Sequence, residues 1–317
     1  MNIKILLDGG EESGSAGFRE YLESNPEELE GTDLIYVADG PMFDSRSEDD
    51  GQRPLVAYGN RGVLSFQLDL QNANSDLHSG NFGGPVPNPA TELVEVLSSM
   101  RDGDEIVIDG FHDGIEVTEE DRAVVQEIPT DEDAIKDELD LSHLASELPY
   151  YERLLLHPTL TINGLVSGYQ GEGMKTVLPS TATAKLDCRL VPNQDPDAVF
   201  EAIREHVDAR NSEVEVTKQG TFPPMKTPVD TPLSEPVINA LSEVWETDPV
   251  EFPVLGGSLP AAYFRRVPSL SDVPILIVPY GNPDQGNHSP NEFMGLEDFE
   301  NGIRTSARVL QKIESFE

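Results

Sequence analysis

The feature that most constrains this chain is a change of hydrophobic rhythm between its middle and its two ends. In Gly62–Leu70, Leu64, Phe66, Leu68 and Leu70 alternate with Ser65, Gln67 and Asp69. In Thr181–Leu190, Ala182, Ala184, Leu186, Cys188 and Leu190 alternate with Thr183, Lys185, Asp187 and Arg189. Period-two alternation reads as strands with one packed and one open face. Pro89 stands in the first turn of a helix to about Ser99. Asp195-Pro196 opens another, with Val199, Ile203 and Val207 at helical spacing. Strands at Thr159–Ser167 and Glu213–Thr217 complete the order β-α-β-β-α-β, a split βαβ sandwich.

The ends read differently. Asn2–Leu7 is a short apolar run ending in Asp8-Gly9-Gly10, predicted as a buried strand meeting a loop, with Ser15 capping a helix to about Glu23. Asp33–Ala38 and Pro274–Val278 are further buried strands. Pro232–Glu246 is a helix built on Val237, Leu241 and Val244, and Leu296–Ser315 is one with Phe299, Ile303, Leu310 and Ile313 on one face. Buried strands alternating with amphipathic helices predict a covered α/β sheet. The expected organisation is therefore an α/β domain from residues 1–60 and 223–317, interrupted by a smaller domain at 61–222. The acidic interval Arg101–Tyr151 is read as an insertion into the latter.

Charge narrows the function classes. Twenty-one Lys and Arg against 59 Asp and Glu leave a net charge of −38, a field that repels nucleic acid and anionic lipid. Neither nucleic acid nor membrane is an expected partner. The acids are spread along the whole chain, which reads as halophilic adaptation, since concentrated salt screens self-repulsion over a few ångströms. The single cysteine, Cys188, cannot form an internal disulfide and alternates inward as a core residue. No run approaches the length of a membrane span, and Met1–Leu7 is too short for a signal peptide, so the expected location is cytoplasmic.

Acidic and imidazole groups cluster at strand ends of the α/β region. Glu11-Glu12 follows the first strand, Asp39 ends the second, and His288 follows the strand near Ile275. Adjacent carboxylates repel unless a cation or proton separates them, and the carboxyl edge of an α/β sheet is where such folds bind ligands. One histidine with two or three carboxylates is either a divalent-metal environment or a solvated acidic turn.

Longer words separate these alternatives. Gly10-Glu11-Glu12-Ser13-Gly14-Ser15, Asp76-Leu77-His78-Ser79-Gly80, Asn81-Phe82-Gly83-Gly84 and Gly286-Asn287-His288-Ser289-Pro290-Asn291-Glu292 occur in order. Between them lie Gly173-Met174-Lys175-Thr176-Val177-Leu178-Pro179 and Arg189-Leu190-Val191-Pro192-Asn193-Gln194. Together they resemble the dinuclear-zinc exopeptidases, which include carnosinase-like dipeptidases, glutamate carboxypeptidases, aminoacylases and succinyl-diaminopimelate desuccinylase. The resemblance implies a partial zinc-exopeptidase-like α/β catalytic domain interrupted by a βαββαβ (ferredoxin-like) lid and dimerisation domain. It implies hydrolysis of an amide bond beside a free carboxylate, in a small peptide or N-acyl amino acid, by a homodimer joined through the lid. By the same resemblance Glu11 is the general base; Glu12 and His288 hold one metal and Asp39 the other. His78, from the partner's lid, stabilises the oxyanion. Arg189 clamps the substrate carboxylate, with Gly257 and Ser258 beside it. The expected ion is zinc, with cobalt or manganese as alternatives. His112, His143, His157 and His206 match no site word and are read as surface or packing residues.

Departures from the family pattern temper this. A His-x-Asp word with a metal-binding histidine and the aspartate that bridges both metals are lacking, so the N-terminal part of the catalytic domain is expected to be absent and activity impaired. Asp8-Gly9-Gly10 stands where Glu-Gly-Glu is commoner, and Lys226 to Asp230 where dipeptidases often carry a substrate histidine. Three explanations follow: a truncated product of a working metallopeptidase, a site completed by a separate polypeptide, or a non-catalytic dimerising remnant.

Overall fold

The structure, a computed structural model, describes residues 1–44 and 51–316. Its two main sheets use β1 (Ile35–Val37), β2 (Leu55–Ala57), β3 (Gly62–Gln71), β4 (Thr161–Ser167), β5 (Thr181–Leu190), β6 (Glu215–Phe222), β7 (Val250–Phe252) and β8 (Ile275–Ile277). The helices used below are α1 (Ala16–Ser24), α2 (Pro89–Ser99), α3 (Glu119–Gln126), α4 (Glu132–Glu138), α5 (Tyr150–Leu156), α6 (Pro196–Arg210), α7 (Ser234–Trp245) and α8 (Leu296–Glu314). Two compact units result: unit 1 comprises Met1–Arg61, Val117–Leu156 and Met225–Glu317, and unit 2 comprises Gly62–Glu116 and His157–Pro224.

Unit 2 is an antiparallel sheet in the order β4-β5-β3-β6. Alternation in β3 and β5 sends Leu64, Phe66, Leu68, Leu70, Ala184, Leu186 and Cys188 to one face, where α2 and α6 supply Leu93, Val96, Val199, Ile203 and Val207. Asn88 and Asp195 cap the two helices through their side chains, each ahead of a proline in the first turn. The connectivity is βαββαβ. His206 packs inside this unit, with Nε2 2.9 Å from Ser99 Oγ, and Cys188 is fully buried.

Unit 1 holds the sheet β1-β8-β2-β7, with β1 parallel to β8, β7 parallel to β2, and β8 antiparallel to β2. Four differences from the sequence reading emerge. Residues 117–156 pack in unit 1: Val125, Ile128, Leu155 and Leu156 share a core with Phe43, Leu55 and Phe252, so most of the acidic interval covers the α/β sheet. Asn2–Leu7 forms no strand and is largely exposed, for among the described residues no strand pairs with it. Helix α8 buries Asp298, Gly302, Thr305 and Val309 and turns Phe299 and Ile303 outward. Ser15 does precede α1, but in a left-handed conformation with no side-chain cap; its backbone carbonyl accepts from Arg19 N. None of the described helices is long and apolar enough to cross a membrane.

Candidate active site

Parallel pairing sets the geometry of unit 1's carboxyl edge. Strands β1 and β8 run side by side in the same direction, so the segments that leave them emerge together. Their pairing continues past both strands: Gly281 N donates to Gly40 O at 3.1 Å and Met42 N to Gly281 O at 2.8 Å. Asp39 therefore stands beside the start of the loop that carries His288. Gly40, at φ 98°, makes the turn that a side chain would strain.

The His288 loop is closed at its neck. Gly295 N donates to Asn282 Oδ1 at 2.7 Å and Phe293 N to Gln285 O at 3.0 Å. A Cβ on Gly295 would run into the Asp298 carboxylate, itself buried and bonded by Gln52 Nε2 at 2.5 Å. Burial raises the Asp298 pKa, partly offset by that bond. At the tip His288 has φ 60°. Asn282 was not singled out from the sequence; the Asn282-Pro283 turn dipeptide is the signal that could have found it.

Glu11 and Glu12 lie in one tight helical turn, Glu11–Ser13, closed by Gly14 at φ 91°. His288 Nδ1 lies 3.5 Å from Glu12 Oε2, both side chains exposed. Burial, then the charges of Asp39, Glu12 and Asp8, raise the Glu11 pKa, while His288 opposes them. Protein packed around the Asp39 carboxylate raises its pKa too, with Gly40 N–H opposing and Glu12 adding to the rise. Glu12 and His288, far apart in the chain, meet at 3.5 Å, and the charges of Asp39, Glu12 and His288 act on Glu11.

The other singled-out residues fall elsewhere. Gly257 and Ser258 lie in unit 1 on the loop after β7, where a Cβ at Gly257 would meet no protein atom. His78 and Arg189 belong to unit 2. His78 caps the short helix Ser79–Phe82, its Nδ1 accepting from Gly80 N at 3.1 Å, and Arg189 Nε lies 3.7 Å from Asp187 Oδ2. Lys226 is bonded to Asp121 Oδ1, a tie between 225–226 and α3.

The donors at the edge suit a divalent cation in kind: one imidazole and three carboxylates. They do not fit one in arrangement. Among the described residues no group of three or more His, Cys, Asp or Glu is placed to hold a metal ion, whereas a catalytic zinc takes three protein ligands plus water.

Known proteins place the chain clearly. Residues 58–215 match the M20 peptidase dimerisation domain. The M20 family metallo-carboxypeptidase Sso-CP2 of Sulfolobus solfataricus superposes with a TM-score of 0.85 at 31% identity, over 96% of this chain and 68% of its own. The Cys-Gly metallodipeptidase DUG1 of Saccharomyces cerevisiae is 28% identical over 98% of this chain and 65% of its own length. Human carnosine dipeptidase 1 superposes with a TM-score of 0.77 at 25% identity, over 96% of this chain and 65% of that one. The chain thus spans about two thirds of the length of these relatives. With a βαββαβ unit set into an α/β unit, and with this similarity running its whole length, the chain belongs to the M20 peptidase family and carries that family's dimerisation domain.

Proposed function

We propose that this chain carries part of a metal-dependent hydrolase of amide bonds beside a free carboxylate, acting on dipeptides or N-acyl amino acids. The observation that carries the reading is the gathering of Glu11, Glu12, Asp39 and His288 at the carboxyl edge of the unit 1 sheet. The metallodipeptidase relatives support it. In this reading Glu11 is the acid–base group. Its carboxylate, on the turn that also carries Glu12, is the group suited to taking a proton from the attacking water and returning it to the leaving nitrogen.

Glu12 and His288 would be donors of one divalent ion and Asp39 of another, with zinc as the ion and cobalt or manganese as substitutes. Because the described residues do not by themselves form a cage, the remaining ligands in this reading come from outside 1–317, and 1–317 alone is an impaired catalyst. His78 and Arg189 serve as oxyanion stabiliser and carboxylate clamp, Gly257 and Ser258 line the substrate's carboxylate end, and unit 2 joins two copies. The working environment is a cytoplasm of high salt. A second reading, a non-catalytic dimerising remnant, is favoured by one observation, the lack of a three-donor group among the described residues.

Zinc analysis and dipeptide hydrolysis decide between them, measured in molar salt on 1–317 and on a version bearing the additional third of its relatives. Metal binding and turnover only by the longer form support the hydrolase. Failure of both forms supports the remnant, and equal turnover by both would remove the need for outside ligands.

A further inference from the structure

Two segments of unit 1 carry Asp39 and His288, and one buried carboxylate joins them. After Asp39 the chain runs through Met42 into a short antiparallel ladder, with Phe43 opposite Arg53 and Asp44 opposite Gln52. That ladder is anchored on both sides. The Phe43 ring is buried against Tyr151 and Phe252, at 6.1 and 5.9 Å between centroids, and Arg53 Nη2 donates to Asp248 O at 2.7 Å. The other segment is the His288 loop, which ends at the start of α8.

Asp298, the third residue of α8, does not do the work its position suggests. In a capping box the side chain at this position accepts the N–H of the residue ahead of the helix. Here that N–H, on Gly295, goes to Asn282 Oδ1 at 2.7 Å. Asp298 Oδ1 instead accepts from Gln52 Nε2 at 2.5 Å, across 246 residues. Asp298 Oδ2 lies where a Cβ on Gly295 would have to go, and Asn282 Nδ2 is 3.1 Å from the same point. Asn282, Gly295 and Asp298 therefore meet at one place, and Gln52 fastens the ladder to it. Asp298 is only 5% exposed. A buried carboxylate without a donor is costly, so this bond has more weight than a surface contact.

The two segments are thus tied at both ends of the His288 loop. At its entrance Gly281 N donates to Gly40 O and Met42 N to Gly281 O; at its exit Gln52 holds Asp298. One tie leaves a loop free to swing about it, and a second removes that freedom. We propose that Gln52 and Asp298 are positioning residues of the candidate site, whose hydrogen bond holds the Asp39 segment and the His288 loop in one fixed relation. That the groups so held are metal donors rests on the hydrolase reading above; the fastening does not.

Hydrogen exchange of 1–317 in molar salt reads the fastening at Met42, Gly281, Phe293 and Gly295, whose N–H groups close the two segments. Gln52 is exposed, so Gln52→Ala should keep the unfolding midpoint. Exchange at Phe293 and Gly295 should nevertheless quicken roughly tenfold, the worth of a hydrogen bond to a charged group. Asp298→Ala should quicken Met42 as well, and the double variant Gln52→Ala/Asp298→Ala should be no faster than Asp298→Ala alone. Asp298→Asn, which keeps an oxygen for Gln52, should restore the parent rates. Zinc titration of the longer form should show affinity lowered roughly tenfold by Gln52→Ala, although no proposed donor is touched, and kept by Asp298→Asn. Unchanged exchange at Phe293 and Gly295 in Gln52→Ala, additive effects in the double variant, or parent-like zinc affinity in Gln52→Ala would each overturn the proposal. If the unaltered longer form binds no zinc while exchange responds as expected, the hydrolase reading falls and the fastening stands.

Discussion

Unit 2 and unit 1 solve the burial problem to different degrees. In unit 2, strands of seven to ten residues share one sheet, and two capped helices cover its apolar face, so nearly every large side chain of β3 and β5 is enclosed. In unit 1 the four main strands are three residues each, and an extended apolar segment and one helix face stay open. Both sheets are covered by helices of their own unit; what unit 1 leaves open is the 2–7 segment and one face of α8. The lesson is that alternation along β3 and β5 encloses one face of unit 2's sheet while the edge strand β4 leaves Ile162, Leu165 and Val166 exposed, whereas unit 1 leaves its apolar surface open on residues 2–7 and on one helix face.

The largest effect that sharpens this contrast is in unit 2. Leu68→Ala removes a fully buried side chain and should cost about 2–5 kcal/mol in urea unfolding at molar salt. Phe299→Ser on the open stripe should stay within about 0.5 kcal/mol; equal costs would erase the distinction. Next, if the proposed metal roles hold, Glu12→Gln or His288→Asn should weaken zinc affinity of the longer form roughly 10–100-fold by calorimetry, with unfolding unchanged because both side chains are exposed. Gly295→Ala drives a Cβ into the Asp298 carboxylate at the neck of the His288 loop. It should cost about 1–3 kcal/mol and loosen exchange protection over 282–295, leaving unit 2 untouched.

The smallest effect is a pH dependence within unit 2. Burial, aided by Arg210 and opposed by Asp109 and the Ser99 hydrogen bond, lowers the His206 pKa below its ordinary 6.5. The unfolded chain then binds the proton more readily than the folded one. Stability is full above pH 6.5 and declines as pH falls from there through the lower folded value. His206→Gln should flatten that decline in unit 2's unfolding midpoint; an unchanged slope would assign it to other groups.

Much of unit 2 was legible because period-two alternation in β3 and β5 reports directly which side chains share a face, and Asn88-Pro89 and Asp195-Pro196 announce their helices. Helix α8 was legible in extent but not in outcome. Phe299, Ile303 and Leu310 do lie together, yet periodicity identifies the apolar face of a helix without saying whether anything covers it. The same holds for Asn2–Leu7, which has the composition of a buried strand and no neighbour to pair with. At the site, Glu11, Glu12, Asp39 and His288 were recognisable as words; the Asn282–Gly295 neck that shapes the His288 loop was not.

Residue order alone determined the strand faces of unit 2, the openings of α2 and α6 and the places where carboxylates and imidazole occur, since these depend on contacts within a few positions along the chain. Tertiary structure decided the rest. The parallel pairing of β1 with β8 brought Asp39 beside the His288 loop, packing of Gly302 and Thr305 turned the α8 stripe outward, and Val125, Ile128 and Leu155 drew 117–156 into unit 1. Each of these outcomes is chosen by burial between distant segments, which no local pattern encodes.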